Sequence, residues 1–336
     1  VKRRGKTTNS RHTFDGNPRH GAPPDRRTWT KPSRVAWALA STLILVAVIA
    51  FVKTNGGMIG PPTAPSAPSS LPYRPSVSPA ISPATAPAMM PPPKELGNSA
   101  ALESAFTSLT DSLDAIVGIA IEAVGGQQRP LTLGDWTSGP AWSTMKVPLV
   151  IAALREEDPP VVTHAMTAAI TQSDNNAAES IWEGLGDTVT AAEKVEAVLQ
   201  EAGDPTVVQS QKVRPGFTAF GQTDWKLADQ VSFLAKSACD SRNDLVFDLM
   251  GEIEAGQRWG LAALPNSRYK GGWGPSPTGS YLVRQMGLAP TPGGMVAIAI
   301  AVQPTSGAFD DGVTAISSIG AWIQAHIGEL PAGTCS

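Results

Sequence analysis

The residues Trp142-Ser143-Thr144-Met145-Lys146-Val147-Pro148 decide how the folded part of this chain is put together. A serine and a lysine three positions apart on a helix share one face, with Cβ atoms about 5–6 Å apart. An amine beside a hydroxyl is what a serine nucleophile needs where no histidine serves as base. The spacing alone is weak. S-x-x-K is expected about once by chance in a chain of this length, and an amphipathic helix with a polar start would show it too. Pro148 sits too deep for a regular helix, so a local distortion is predicted there. It also suggests that Ser143 lies at the helix start, where free N–H groups and the dipole favour a developing oxyanion.

Two further motifs follow in order, Ser173-Asp174-Asn175 and Lys270-Gly271-Gly272-Trp273. The first falls between two helical patterns, at residues 161–172 and from about Asn176. The second lies on a strand pattern, Arg268 to Trp273. Around them the periodicity predicts a helix from Asn98 or Ser99 to Leu113, capped by one of those two residues. Strands at Ile116 to Val124 and Leu131 to Trp136 read as a hairpin turned at Gly125-Gly126. The helix entered through Ser143 is ended by Pro159-Pro160. Thr190-Ala191-Ala192-Glu193 reads as a capping box for a helix ending before Gly203. Thr206 to Gln222 is loop-like, Thr223 or Asp224 caps a helix through Ala238, and Asp244 to Glu254 forms another. Strands at Tyr281 to Leu288 and Met295 to Gln303 precede a last helix, about Asp311 to Ile327. Two strands, a helical middle, three strands and a closing helix predict an α/β (α+β) sandwich with a mainly antiparallel five-stranded sheet flanked by helices.

With these motifs in this order, residues 98–332 resemble the penicillin-recognising serine hydrolases, the class A β-lactamases and D,D-peptidases, whose signatures are S-x-x-K, S-D-N and K-T-G. The resemblance extends to the surroundings, AWSTMKVPL at 141–149 and ITQSDNNAAE at 170–179. Gln257-Arg258-Trp259-Gly260 ahead of Lys270-Gly271-Gly272-Trp273 is similar to an atypical, actinobacterial-type branch. The resemblance implies Ser143 as the nucleophile that forms an acyl-enzyme and Lys146 as its general base. It implies Ser173 as a proton relay to the leaving group and Lys270 as a source of positive charge. Asn175, Gly271, Gly272 and Trp273 would bind substrate, the backbone N–H groups of Ser143 and Trp273 forming an oxyanion hole. One such donor is commonly worth ~3–4 kcal/mol of barrier.

Three departures bear on function. Gly271 stands where the family usually has Thr or Ser, so a hydroxyl that helps bind the substrate carboxylate is missing. Between Asp204 and Asp224, the loop where a class A β-lactamase keeps its deacylating Glu, there is no Asp or Glu; Gln209 and Gln211 lie there, and an amide cannot act as a base. Ser143 and Ser173 are also closer in sequence than is typical, which predicts less helical cover over the site.

Charge is unevenly spread. Residues 1–34 carry ten Lys/Arg and two Asp, a net of +8, whereas residues 98–336 carry thirteen Lys/Arg and twenty-six Asp/Glu, a net of −13. The acidic body argues against a nucleic-acid partner, which would need clustered Lys and Arg. His164 and His326, the two histidines of the body, lie in no metal-ligand pattern, and no phosphate- or dinucleotide-binding glycine motif occurs, so neither metal nor cofactor is expected.

Val35 to Val52 is an eighteen-residue run without a charge, close to the ~20 residues that cross a bilayer core. The polar lead before it is long for a signal peptide, and no small-residue cleavage pattern follows. It reads as one uncleaved transmembrane helix in the cell membrane. Ten positive charges precede it and Lys53 follows it, which places residues 1–34 in the cytoplasm as a disordered basic tail and the body outside. Residues 53–97 read as a Pro/Ala/Ser-rich linker, with twelve Pro between 61 and 93. Cys239 and Cys335 then lie on the side where disulfides persist. A bridge between them would tie down the C-terminal end, two unpaired thiols being the alternative.

The preferred reading is a membrane-anchored, extracytoplasmic serine hydrolase or acyl transferase of the penicillin-binding, D,D-peptidase-like type, acting at the cell wall on peptidoglycan stem peptides or β-lactams. A class A-type β-lactamase is the enzymatic alternative, weakened by the missing loop carboxylate. A catalytically degenerate module that binds peptidoglycan or a partner is the third, favoured by Gly271.

Overall fold

A computed structural model describes residues 99–126 and 128–335. The basic tail, the apolar run at 35–52 and the proline-rich linker lie outside the described residues. Among the described residues no helix is long and apolar enough to cross a membrane.

Five strands form one antiparallel sheet: β1 Ala115–Ala123, β2 Leu131–Gly134, β3 Arg268–Pro275, β4 Tyr281–Thr291 and β5 Gly294–Pro304. Their order across the sheet is β2-β1-β5-β4-β3, in agreement with the architecture expected from the sequence. The central strands explain how the sheet is covered. β5 alternates Val296, Ile298, Ile300 and Val302 with Ala297, Ala299 and Ala301, and β1 answers in register, with Ile119 opposite Ile300 and Gly118 opposite Ala301. Since side chains alternate between faces, one face is branched and thick and the other small and flat.

The small-residue face receives α6 (Leu227–Ser237), close enough that a Cβ on Gly118 would lie 3.1 Å from Leu227 Cδ1. The branched face receives α8 (Phe309–Ala325), where Gly312 lets the helix approach Val283. α1 (Ser99–Thr110) joins α8 there through Phe106 and Trp322, whose rings meet edge to face at 5.1 Å.

The helical layer is built around α2, Lys146–Leu154, in which every residue except Ala153 is buried. A helix apolar on all sides belongs in the middle of a layer, and α4 (Asn175–Gly184) and α5 (Thr188–Glu201) pack against it. A 3₁₀ turn, Trp142–Met145, leads into α2. Pro148 therefore falls in the first turn of the α-helix proper, where a missing N–H costs little, and the expected distortion takes the form of that 3₁₀ turn.

Several local expectations are corrected. α5 is capped by Asp187, whose carboxylate accepts from Val189 N and Thr190 N, so Thr190 is inside the helix. Thr223 and Asp224 do not cap α6, which begins at Leu227. The Thr223 hydroxyl accepts from Gln209 N, and Asp224 accepts from Ser138 Oγ. The stretch read as one helix over 161–172 is a short α3, His164–Thr167, running into a π-helical turn, Ala168–Gln172. The helix expected over Asp244 to Glu254 is α7, Asp244–Met250, and ends at Met250. Cys239 and Cys335 form a disulfide with Cα atoms 5.2 Å apart. It fastens the C-terminal segment beside the turn after β1, where a Cβ on Gly125 would come 3.3 Å from Cys239 Sγ.

Candidate active site

Ser143 lies in the 3₁₀ turn where the helical layer meets β3, the outer strand of the sheet. The approach is closer than side chains allow. A Cβ on Gly272 would lie 2.9 Å from both Ser143 N and Thr144 N, and one on Gly274 would lie 2.6 Å from the Trp142 indole. Alternate residues of a strand face the same way, so the G-x-G spacing of β3 removes two side chains from the face that the Ser143 turn presses against.

Trp142 itself has φ 49°, a conformation costly for a bulky residue, and its indole N–H is buried without an acceptor. Ser173, at φ 58°, is one of only two other non-glycine residues with positive φ among the described ones. Strain of this kind, of order 1–3 kcal/mol per residue, persists where the surroundings over-determine the backbone. Here it flanks the two serines of the site.

Ser173 ends the π-helical turn, and Asp174 caps α4 by accepting from Ala177 N at 2.7 Å. The cap sends the residues on either side toward Lys146. Lys146 Nζ donates to Ser173 O at 2.6 Å, to Asn175 Oδ1 at 2.8 Å and to Asp174 O at 3.2 Å, and it lies 3.5 Å from Ser173 Oγ. No hydrogen bond to Ser143 is among them. Lys270 Nζ arrives from β3 and donates to Ser173 Oγ and Gly271 O, each at 2.9 Å. The structure thus brings Lys146, Ser173, Asn175 and Lys270 into one hydrogen-bonded cluster, with Ser143 a turn away on the same helical entry and Gly272 against its backbone.

Both lysines have no solvent exposure. Burial penalises the ammonium form, and it lowers Lys146 to about 7 against an opposing pull from Asp174. Lys270 is pushed well below its ordinary value, first by burial and then by the neighbouring Lys146, with Glu254 opposing. Two ammonium groups beside one hydroxyl resist carrying two charges, so burial and mutual repulsion together favour the loss of a proton from the pair. A hydroxyl has two acceptor sites and one proton. With Lys270 donating to it at 2.9 Å, Ser173 Oγ keeps that proton free for another acceptor.

A second set of contacts braces this cluster, and sequence patterns alone did not reveal it. Gln257 donates to Gln172 O at 2.8 Å, next to the Ser173 turn. The Trp259 indole lies over Gly271, where an added Cβ would meet its ring carbons at 2.9 and 3.0 Å. Gly260, at φ 60°, packs against Gln285 and under Gly320. The Gln257-Arg258-Trp259-Gly260 run is therefore a strut between the serine turn, β3 and α8.

Under Ser143, Arg284 on β4 is fully buried and donates to Gly139 O, Pro140 O, Trp225 O and Gln230 Oε1. Burial lowers it to about 9, still above neutral pH, so the guanidinium stays charged. Gln230 passes the link on to Thr144 Oγ1 at 3.0 Å, and Thr144 closes it on Ala141 O at 2.6 Å.

The cleft above Ser143 has a volume of about 200 Å³. Asn175 and Ser143 line it together with Trp142, Phe217, Trp273 and Tyr281, and no charged side chain does. Phe217 and Thr218 are the only residues of the 205–223 loop in its wall. The Gln209 side chain accepts from Gln211 N, and Gln209 N donates to Thr223 Oγ1. Among the described residues no group of three or more His, Cys, Asp or Glu is placed to hold a metal ion.

The structure resembles class A β-lactamases over most of their length. The TLA-3 extended-spectrum β-lactamase superposes with a TM-score of 0.55 at 16% identity, over 68% of this chain and 98% of that one. The TLA-1 extended-spectrum β-lactamase gives 0.55 at 17% identity, over 68% and 99%. A class A β-lactamase from Bacteroides cellulosilyticus DSM 14838 gives 0.55 at 17% identity, over 67% and 96%. No protein-family model matches the sequence, and no curated protein matches it. At these identities the likeness establishes the fold alone, the one shared with class A β-lactamases.

Proposed function

We propose that this protein is a membrane-anchored, extracytoplasmic serine hydrolase or acyl transferase that forms an acyl-enzyme at Ser143. The observation that carries the reading is the convergence of Lys146, Ser173, Asn175 and Lys270 beside the strained turn that holds Ser143. Neutral Lys146 takes the Ser143 proton as Oγ attacks a carbonyl carbon. The N–H groups of Ser143 and Trp273 receive the developing oxyanion, on a turn and an edge strand that Gly272 allows to touch. Ser173, its hydroxyl accepting from Lys270, passes a proton to the leaving group. Asn175 accepts from Lys146 with its carbonyl, which leaves its NH₂ as a donor to the substrate. The uncharged run at 35–52 supports the anchored, outward-facing placement, and with it peptidoglycan stem peptides or β-lactams as the first substrates to consider.

Deacylation is the slow half of this scheme. A β-lactamase turns over quickly because a carboxylate activates water, and no carboxylate lines the cleft. The acyl-enzyme therefore persists, which favours a penicillin-binding, D,D-peptidase-like role over a β-lactamase. One observation favours a non-catalytic binding module instead: Lys146 donates to three carbonyl oxygens and none of its bonds reaches Ser143. A fluorophosphonate probe followed by intact mass separates the two. The enzyme acquires one adduct, absent from Ser143→Ala; a folded protein that takes no adduct is the binding module.

A further inference from the structure

Keeping the serine acyl-enzyme of that reading but replacing the substrates first considered with it, we infer that the substrates carry no carboxylate beside the scissile bond. This sets aside carboxylate-bearing β-lactams and stem peptides ending in a free carboxylate: the substrates are uncharged esters or amides with a ring-sized apolar acyl group. The corner of the site next to Ser173 presents no exposed cation to an anion. Lys270 has no solvent exposure, and its ammonium is directed to Ser173 Oγ and Gly271 O. Gly271 offers no hydroxyl. A threonine could not be restored there by itself, because the Trp259 indole occupies the space within 3.0 Å of its Cβ.

On β4 the Cα partner of Gly271 is Gln285, a neutral residue whose amide is already committed to Trp259 O at 2.9 Å and Leu261 N at 2.7 Å. Arg258, next to Trp259, is held by Ile253 O and does not line the cleft. A carboxylate entering this corner would lose its hydration without an ion partner, which is costly.

The cleft itself offers aromatic faces and neutral polar groups rather than charge. Trp142, Phe217, Trp273 and Tyr281 supply four aromatic side chains around about 200 Å³, room for one ring-sized substituent, since an apolar cavity of ~150 Å³ holds benzene. Trp273 and Tyr281 are backed by Phe309, with ring centroids at 5.5 and 5.8 Å, so that wall is rigid. Arg214 lies against the outer wall of the cleft, on the Phe217 side rather than in the Ser173 corner: it stacks over Phe217 at 4.5 Å and its guanidinium donates to Pro275 O and Ser276 O.

The test compares phenyl phenylacetate with m-carboxyphenyl phenylacetate on the purified full chain, each rate corrected for the ester's own reactivity with hydroxide. In both, Ser143 Oγ bonds to the acyl carbon, the bond from that carbon to the phenol oxygen breaks, and the serine proton ends on the phenol. Water later carries the acyl group away as the acid and returns a proton to Ser143. The expected result is acylation at least about tenfold faster with the uncharged ester; a smaller ratio, or preference for the carboxylate, overturns the inference.

The double variant Trp259→Ala with Gly271→Thr vacates the corner and supplies a hydroxyl, and the ratio is expected to fall. A ratio that does not fall, in a variant still labelled by fluorophosphonate, overturns the assignment to this corner. The parent reading fails separately. A protein that prefers the carboxylate ester sinks the substrate class alone, whereas absence of both fluorophosphonate label and acylation by either ester sinks the serine reading with it.

Discussion

The ionisation of Lys146 sets how fast Ser143 reacts, and pH is the perturbation that exposes it. Only the neutral amine can take the serine proton. With burial holding Lys146 at about 7, the neutral fraction is about one tenth at pH 6 and about nine tenths at pH 8. The rate constant for fluorophosphonate labelling should therefore rise about tenfold between pH 6 and 8 and level off above. A lysine at its ordinary value near 10.4 would behave differently, gaining about a hundredfold over the same interval and still climbing at pH 9. The midpoint belongs to the Lys146–Lys270 pair, because both ammonium groups meet at Ser173 Oγ. Stopped aliquots over pH 5.5–9, quantified by intact mass, give the profile. A flat profile, or a slope that does not level off by pH 9, would show that a buried Lys146 is not the base.

Other perturbations test the supports. Gln230→Met removes one neutral hydrogen bond to Thr144 and one charge-assisted bond from Arg284, an expected loss of about 2–4 kcal/mol in urea unfolding; a loss below about 1 kcal/mol would mean that the chain from Arg284 to the Ser143 turn does not hold the site. Gly272→Ala places a methyl 2.9 Å from Ser143 N and Thr144 N; overpacking of about 1–3 kcal/mol should accompany slower labelling at Ser143, and labelling at the wild-type rate would contradict the close approach. Reducing the Cys239–Cys335 bridge opens a loop of 96 residues and should lower stability by up to about 4–5 kcal/mol on the chain-entropy account, read from unfolding curves with and without reductant.

The strands and the three motifs could be read from the chain because each signal is local. β5 announces itself by strict alternation of Ile/Val with Ala, and Ser143 with Lys146 by helical spacing. Ser173-Asp174-Asn175 reads as the break between two helices; Asp174 caps the second, while its neighbours Ser173 and Asn175 turn to Lys146. What could not be read depends on contacts between distant residues. Gln230 meets Thr144 across eighty-six positions, and no local pattern marks a polar residue inside α6 as a support for a turn on another layer. Gly271 reads in the sequence as a lost hydroxyl, whereas in the structure the Trp259 ring occupies the space a side chain would need. The cap of α5 was misjudged because Thr190 to Glu193 fits a capping box as well as Asp187 fits a simple cap, and geometry alone chooses between them.

The central claim is that Ser143 is a nucleophile activated within this cluster. Peptide mapping of the fluorophosphonate adduct tests it most directly. The account predicts one phosphonyl group per chain, on the peptide containing Ser143, formed by the wild type and absent from Ser143→Ala, with labelling slowed at least about a hundredfold in Lys146→Met. An adduct on another residue, or labelling unaffected by loss of Lys146, would contradict it.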